Sequence, residues 1–268
     1  MSGPRHIPRP IVKLTAEQEP FLAVRSLATN YASGYRIESH QHPWHQLLYA
    51  ISGAMTVSTD QSSWMIPTGR AVFIPAGCSH AIRMWGTVEM RTLYLHPSLT
   101  GLENAECRVV EVAPLLRELI LRAVDRMGLD SRVAHDARLI GLLEDEIRTV
   151  MEEAGDSPRN SPLALPMPRE ERALALARCV LEKPSLCDNV DHLARQHGMA
   201  RRTLERRFHE QTGMSFGMWR QKARLLDSIR LLAEGKSVTD AALDCGYSSV
   251  SAFIAAFKGT FGYTPGRL

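Results

Sequence analysis

The sequence lacks three features that mark exported and membrane-bound proteins. Its five cysteines are an odd number without a C-x-x-C pair, which excludes a disulfide framework and a cysteine zinc site. The first 20 residues carry scattered proline and charge instead of an apolar core, so they are not a signal peptide. No apolar run reaches the length of a membrane span. We therefore expect a reduced, cytoplasmic protein without membrane contact; its cysteines are Cys78, Cys107, Cys179, Cys187 and Cys245.

The net charge is also modest, at +3 over 268 residues. A chain of this length favours two domains, each able to bury its own core. Residues 169–268 hold 16 Lys and Arg against 11 Asp and Glu, whereas the remaining residues hold 16 against 18. The basic C-terminal part suits a polyanionic partner such as nucleic acid.

The residue pattern along the chain predicts an α+β protein with two domains. Short alternating runs separated by Gly, Pro, Asp and Ser predict a small antiparallel β-barrel or sandwich, and helical periodicity follows it. A segment with four prolines has the composition of a linker. The predicted segments are a flexible N-terminal arm over 1–20, a β-barrel over 21–110, a helical segment over 111–154, a linker over 155–168 and an all-helical domain over 169–268.

The β-barrel is expected to have turns at Ser52-Gly53, Asp60-Gln61 and Thr68-Gly69. Two helices are expected after it, over Pro114–Met127 and Arg132–Glu153, because apolar residues recur there at helical spacing. These helices form either a cap on the barrel or a dimerisation seam, and the sequence leaves both interpretations open.

One pattern occurs twice in the C-terminal domain, about 48 to 49 residues apart. Its first copy extends from Leu193 to Phe208 and its second copy from Ala241 to Phe257. Each copy combines a short helix, a turn that contains glycine, and a second helix with large apolar residues four positions apart. This is the outline of a helix-turn-helix, which places its second helix in the DNA major groove. A tandem pair therefore favours a regulator of transcription.

The second helix of the first copy carries a basic face. Leu204 and Phe208 lie one turn apart and are expected in the core. Arginine side chains on the opposite face can bind guanine or neutralise phosphates, and a glutamate can accept from cytosine or orient an arginine. The expected DNA-contacting residues are Arg202, Glu205, Arg206 and His209, flanked by Arg201 and Arg207 as phosphate contacts.

The second helix of the second copy is nearly uncharged on its outer face, with Phe253 and Phe257 at its core positions. Its first turn can offer backbone N–H groups to a phosphate, and small apolar side chains can touch a thymine methyl group. Most sequence specificity is therefore expected from the first copy. The expected DNA contacts of the second copy are Ser248, Ser249, Val250, Ser251, Ala255 and Lys258.

A single long helix is predicted between the two copies, from Ser215 to about Glu234. A helix of this length spans about 30 Å, which is close to the ~34 Å between successive major grooves on one face of DNA. The connecting helix thus has the length to set the two recognition helices one turn of DNA apart.

Several short segments of the C-terminal domain form one signature. They are Gly235–Ala242, Gly246–Ser249, Ser251–Phe253, Phe257-Lys258 and Phe261–Pro265, together with Leu204–Phe208 and Thr212–Ser215. Over about Leu181 to Leu268 the chain thus resembles the AraC/XylS family of bacterial transcription regulators. The resemblance implies a seven-helix DNA-binding domain coupled to an N-terminal effector or dimerisation domain. One departure is Ala200, which stands where the family commonly has a serine that caps the recognition helix.

Two histidine motifs lie in the predicted barrel. The first is Gly34-x5-His40-x-His42-x3-Gln46-x6-Gly53, and the second is Gly69-x5-Pro75-x-Gly77-x2-His80. They resemble the two motifs of the cupin superfamily. Because side chains alternate along a strand, His40, His42 and Gln46 are expected on one face and His45 on the other.

Three imidazoles and an amide, from His40, His42, His80 and Gln46, suit a divalent transition metal such as Zn, Ni, Cu or Fe. Gln46 replaces the ligating glutamate that is common in cupins, which weakens the expected site. The alternative is that these side chains line a ligand pocket or form hydrogen bonds within the barrel, and both interpretations stay open. Cys78 is expected to be a buried, inert thiol rather than a metal or redox contact.

Together these features favour a DNA-binding transcription regulator whose cupin-like domain senses a small molecule or metal and modulates promoter binding or activation. A metal-dependent cupin enzyme fused to a DNA-binding domain is the alternative, but Gln46 removes the usual carboxylate and no separate acid–base group accompanies it. No enzymatic activity is therefore expected, and no cofactor apart from the metal. The expected partners are double-stranded promoter DNA, the effector, a second copy of the chain and, for an activator, RNA polymerase.

Overall fold

The computed structural model describes residues 21–99, 102, 105–155, 161–182 and 189–268. The predicted N-terminal arm, the middle of the predicted linker and Cys187 lie outside these ranges. The strands are β1 Leu22–Tyr31, β2 Arg36–His40, β3 His45–Ser58, β4 Ser62–Ile66, β5 Arg70–Ile74, β6 His80–Leu95, β7 Arg108–Glu111, β8 Gly128–Asp130 and β9 Ala164–Pro166. The helices are α1 Pro114–Asp125, α2 Ala134–Glu153, α3 Glu171–Glu182, α4 Val190–Gln196, α5 Arg201–Thr212, α6 Phe216–Ala233, α7 Val238–Asp244 and α8 Val250–Phe261, followed by a 3-10 turn over Pro265–Arg267.

All strand pairs of the N-terminal domain are antiparallel, in agreement with the expected fold class. The long strands β3 and β6 pair with each other and change their outer neighbours halfway along. β3 pairs first with β5 and then with β4, while β6 pairs first with β2 and then with β1. This exchange of partners curves the sheet around an interior.

The turn expected at Ser52-Gly53 is wrong, because β3 is continuous from His45 to Ser58. The two residues instead belong to an irregularity where the register between β3 and β6 shifts. Gly53 has a φ of +74°, and a Cβ at this position would lie 2.7 Å from the carbonyl oxygen of Thr87. Glycine is therefore required here by a close approach of two strands inside the sheet.

The helices α1 and α2 cover one face of the sheet. Leu116, Ile120 and Ile147 are buried against this face together with Leu47 and Phe73 of the strands. This is the capping arrangement that the sequence left as one of two interpretations. On their outer sides Leu115 and Leu142 remain exposed, and the dimerisation seam stays a prediction.

The other face of the sheet shares one continuous hydrophobic core with the C-terminal domain. Part of the predicted linker contributes to this core, because β9 pairs with β4 and adds a strand to the sheet. The indole Nε1 of Trp219 in α6 donates to the carbonyl of Pro166 at 2.7 Å. Residues 161–167 are thus packed against the protein, although the proline content of the segment predicted a linker.

Candidate DNA-binding helices and histidine cluster

The first helix-turn-helix consists of α4 and α5, joined by a turn at Gly198. Leu204 and Phe208 of α5 are fully buried, as expected. The Phe208 ring packs edge-on against Phe216 and Trp219 of α6, with centroids 5.0 and 5.2 Å apart. Edge-to-face aromatic contacts of this kind stabilise a fixed orientation, so α5 is held firmly on the start of α6.

The outer face of α5 is exposed at Arg201, Arg202, Arg206 and His209, and half-buried at Glu205 and Arg207. Two of these arginines form ion pairs. Nη1 of Arg206 lies 3.3 Å from Oε1 of Glu210, and Nη1 of Arg201 lies 3.4 Å from Oδ2 of Asp191. Exposed ion pairs of this kind contribute little stability, so both arginines can exchange their partners for a phosphate or a base.

Glu205 has a different role from the other expected contacts. Its carboxylate accepts a hydrogen bond at 3.0 Å from the backbone N–H of Phe216, the first residue of α6. The bond satisfies an N–H group that the helix itself cannot pair. This contact favours a positioning role for Glu205 over hydrogen bonding to cytosine.

The second helix-turn-helix consists of α7 and α8, with Phe253 and Phe257 buried as expected. Its recognition helix has a side-chain cap, because Ser249 accepts from the N–H of Ala252 at 3.2 Å. The corresponding residue of α5 is Ala200, which forms no side-chain cap. On the expected DNA face, Ser248, Ser249, Ser251, Ala255 and Lys258 are exposed, and Val250 is half-buried.

Three histidines of the N-terminal domain converge on one point. One ring nitrogen from each of His40, His42 and His80 lies within 4.8 Å of the others. The ring centroids are 4.3 Å apart for His40 and His80, and 5.2 Å apart for His42 and His80. The three imidazoles therefore form a group that could hold a metal ion.

A backbone carbonyl fixes each imidazole of the cluster. Nδ1 of His40 bonds to the carbonyl of Glu38 at 2.9 Å, Nδ1 of His42 to that of Trp44 at 2.6 Å, and Nδ1 of His80 to that of Cys78 at 2.9 Å. A carbonyl can only accept, so Nδ1 carries a proton, and in the neutral imidazole Nε2 keeps its lone pair. This is the outer-shell arrangement that prepares histidine to bind a metal through Nε2.

His80 is the most buried member of the cluster, and burial lowers its pKa to about 4. Its Nε2 is buried without a hydrogen-bond partner among the described residues. A buried acceptor without a partner loses its hydration without compensation. A cation or a ligand donor at the cluster centre would compensate for that loss.

Gln46 completes the group, because its Oε1 lies 2.9 Å from Nε2 of His42. With Nδ1 of His42 already donating, neutral Nε2 is an acceptor, and Oε1 is an acceptor as well. The contact therefore requires a cation between the two atoms, a second proton on the imidazole, or an amide turned so that its NH2 group donates.

The four side chains come together by a different backbone geometry from the expected single strand. Strand β2 ends at His40, so His42 approaches from the loop before β3 rather than from one continuous strand with Gln46. The expectation for His45 is confirmed, because it packs on Phe73 at 5.4 Å, on the sheet face covered by α1 and α2. Tyr94, which the motifs did not indicate, packs edge-on against His42, and burial raises its pKa to about 12.

Comparison with known proteins places both halves of the chain in one family. Residues 23–143 match the AraC-like ligand binding domain, and residues 193–268 match a helix-turn-helix domain. The HTH-type transcriptional regulator NimR of Escherichia coli strain K12 is 32% identical over 228 residues, which cover 85% of this chain and 80% of that protein. The chain belongs to the AraC family of transcription regulators.

Two further similarities are more limited. The HTH-type transcriptional regulator RipA of Corynebacterium glutamicum is 32% identical over 100 residues, or 37% of this chain and 30% of that protein. A crystal structure of ToxT from Vibrio cholerae has a TM-score of 0.38 and 12% sequence identity, over 91% of this chain and 96% of that one.

As a member of the AraC family, the chain is a DNA-binding transcription regulator with an N-terminal ligand-binding domain. This confirms the resemblance drawn from the C-terminal motifs and the function expected from the tandem helix-turn-helix. None of the helices in the described ranges has the length and apolar character needed to cross a membrane.

The AraC-type DNA-binding domain meets the ligand-binding domain at a second place besides β9. Gly86 in β6 lies against the end of α6, where a Cβ would come within 2.2 Å of the carbonyl oxygen of Ala233. The guanidinium carbons of Arg83 and Arg230 lie 4.0 and 5.2 Å from the centre of the Trp85 ring. The sequence did not indicate the contacts of Gly86 with Ala233 and of Trp85 with Arg230, because the partners are 147 and 145 residues apart.

Proposed function

We propose that this regulator reads promoter DNA mainly through α5 and holds it through α8. Arg202 supports this assignment, because its side chain is exposed and has no ion pair within the described ranges. The small and hydroxyl-bearing face of α8 supports a phosphate-binding role, since its N-terminus offers backbone N–H groups.

The test is selection of binding sites from a random DNA library by the purified full chain. In Arg202→Ala and Arg206→Ala the preference at one base pair should relax by about 1–3 kcal/mol, or roughly 5- to 150-fold. Lys258→Ala is the matched control. It should weaken binding to all DNA sequences alike, and binding should release about one counterion fewer, which lowers its salt dependence. An unchanged sequence preference in both arginine variants would contradict the assignment.

For the ligand-binding domain we propose a divalent transition metal, held by Nε2 of His40, His42 and His80 with Gln46 as a fourth donor. The observation that carries this proposal is the fixed set of tautomers, which leaves three Nε2 lone pairs within one small volume. Imidazole nitrogen suits Zn, Ni, Cu and Fe. The bound ion would supply a charge that draws β2, β3 and β6 together.

Elemental analysis of tag-free protein from metal-supplemented cells tests the site. We expect one metal per chain in the wild type and none in a His40→Ala/His42→Ala/His80→Ala variant. The matched control is His135→Ala, an exposed histidine in α2 that should keep its metal. If the wild type contains no metal, the metal proposal is wrong, and the alternatives are that the cluster lines a ligand pocket or forms hydrogen bonds within the barrel.

The occupied cluster would act on DNA binding through β6 and α6. His80 begins β6, and Trp85 and Gly86 lie on the same strand about 17 and 20 Å further along at about 3.4 Å per residue. α6 connects the two helix-turn-helix units, so its position determines where both recognition helices lie. Effector binding would then shift the population of docked and released forms of α6.

The remaining partners follow from the same arrangement. The exposed Leu115 and Leu142 on α1 and α2 support a homodimer through these helices, and an activator would also contact RNA polymerase. The three histidines form their cluster without a carboxylate in the described part of the chain, which supports a sensor rather than an enzyme. Promoter DNA as the partner supports a cytoplasmic location.

A further inference from the structure

Two cysteines that are distant in the sequence meet on the surface of the ligand-binding domain. The sulfur atoms of Cys78 and Cys107 are 3.5 Å apart, and both are free thiols. Both cysteines line one cavity of about 300 Å³, in which Cys78 is half-buried and Cys107 is buried. A small solute in this cavity therefore reaches the more exposed sulfur, that of Cys78, while the Cys107 sulfur is held in contact with it.

The backbone around these cysteines allows a covalent bond to form. A disulfide needs a sulfur separation of about 2.05 Å, so the atoms must approach by roughly 1.5 Å. Cys78 lies in the loop between β5 and β6, and Cys107 directly precedes β7. Because β5 and β7 pair at Phe73 and Arg108, the two segments are already neighbours. A shift of the Cys78 loop by this distance would bring the sulfurs together while the pairing of β5 with β7 stays intact.

We propose that Cys78 and Cys107 form a site of reversible oxidation by small hydroperoxides. The Cys78 sulfur loses its proton and attacks the outer oxygen of the peroxide, so that the O–O bond breaks. The leaving alkoxide or hydroxide takes up that proton and departs as an alcohol or water. The Cys107 sulfur then attacks the resulting sulfenic acid, the S–O bond breaks, and water leaves with the Cys107 proton. Two thiols supply the two electrons that the peroxide takes up. A dithiol reductant reverses the reaction by exchange.

The loop that carries Cys78 also supports the histidine cluster. The Cys78 carbonyl accepts from Nδ1 of His80 at 2.9 Å, and the N–H of Gly77 donates to the carbonyl of His42 at 2.8 Å. A disulfide would pull this loop toward β7 and disturb both hydrogen bonds. This link to ligand binding rests on the proposed function of the histidines, whereas the oxidation itself does not.

The experiment uses the full chain, reduced and then treated with a few equivalents of hydrogen peroxide before all remaining thiols are alkylated. Peptide mass spectrometry should show joint loss of the alkylated Cys78 and Cys107 peptides and the appearance of one linked peptide. Dithiothreitol should restore both. In Cys107→Ser, dimedone should label Cys78 as a sulfenic acid that cannot be resolved.

Cys179→Ser is the matched control, because Cys179 is exposed and should not be needed for the linkage. Full alkylation of both cysteines in peroxide-treated wild type, which needs no variant to fold, would overturn the proposal. Linkage of Cys78 to any other cysteine would also overturn it. Metal content measured before and after oxidation then tests the link to the histidines separately.

Discussion

The contact between Gly86 and α6 gives the sharpest prediction, because a single methyl group is enough to disturb it. In Gly86→Ala the new Cβ would lie 2.2 Å from the carbonyl oxygen of Ala233 and 3.0 Å from its carbon. No flexible side chain is involved, so either β6 or the end of α6 must move. The variant should therefore weaken the docking of the DNA-binding domain on the ligand-binding domain.

The size of the effect can be separated into two parts. Gly86 has a φ of +69°, and an L-residue in this left-handed region costs about 1–2 kcal/mol. Inserting a methyl group into a filled contact adds about 1–3 kcal/mol. Gly69 provides the matched control, since its φ is +79° but its Cβ would meet nothing within 4 Å. Gly69→Ala should show the backbone cost alone.

Urea unfolding of both variants measures the difference. Circular dichroism follows the whole chain, and tryptophan fluorescence reports all four tryptophans, of which Trp85 lies in the contact. We expect Gly86→Ala to lose about 1–3 kcal/mol more of its free energy of unfolding than Gly69→Ala. Since a chain of two domains need not unfold in one step, the two signals are analysed separately. Equal losses in both variants would show that Gly86 does not hold α6 in place.

Two further predictions concern helix caps and a buried lysine. Ala200→Ser should stabilise the DNA-binding domain by about 1 kcal/mol, and Ser249→Ala should destabilise it by a similar amount, because each changes the N-cap of one recognition helix. Urea unfolding measures both changes. A shift of the free energy of unfolding in the same direction for both variants would contradict this prediction. Burial lowers the pKa of Lys222 to about 8 from its ordinary 10.5, so the folded chain binds fewer protons than the unfolded chain between these values. Stability should therefore rise with pH across that window in the wild type, more than it does in Lys222→Met.

The DNA-binding domain could be predicted largely from the sequence, because its signals are local. Leu204 and Phe208 repeat at helical spacing, and Ser215 marks the start of α6 by accepting from the N–H of Met218 at 3.2 Å. The missing cap at Ala200 could also be recognised from one residue. Such signals lie within a few positions of the structure that they specify, so folding of the rest of the chain does not change them.

The ligand-binding domain was less predictable, because its decisive contacts join distant segments. The sequence around Gly53 resembles a turn, but a glycine is needed there because the backbone of Thr87 lies too close for a side chain. The prolines around β9 indicate a linker, yet β9 pairs with β4, for example where Pro166 lies opposite Ser62. The meeting of Cys78 and Cys107 depends on the pairing of β5 with β7, which no local pattern specifies.

The two ends of α6 have different neighbours, and this difference limits what the ligand-binding domain can control. Near its N-terminus α6 packs against Phe208 of α5, the helix proposed to read bases, and there Trp219 also bonds to β9. Near its C-terminus Leu231 packs with Ala241 of α7, beside the contact with Gly86. A structural change transmitted along β6 reaches the C-terminal end of α6 first, because that end lies against Gly86. It should therefore move α7 and α8, the unit proposed to bind phosphate, more than α4 and α5, the unit proposed to read bases. The affinity for DNA should then change more than the choice of sequence.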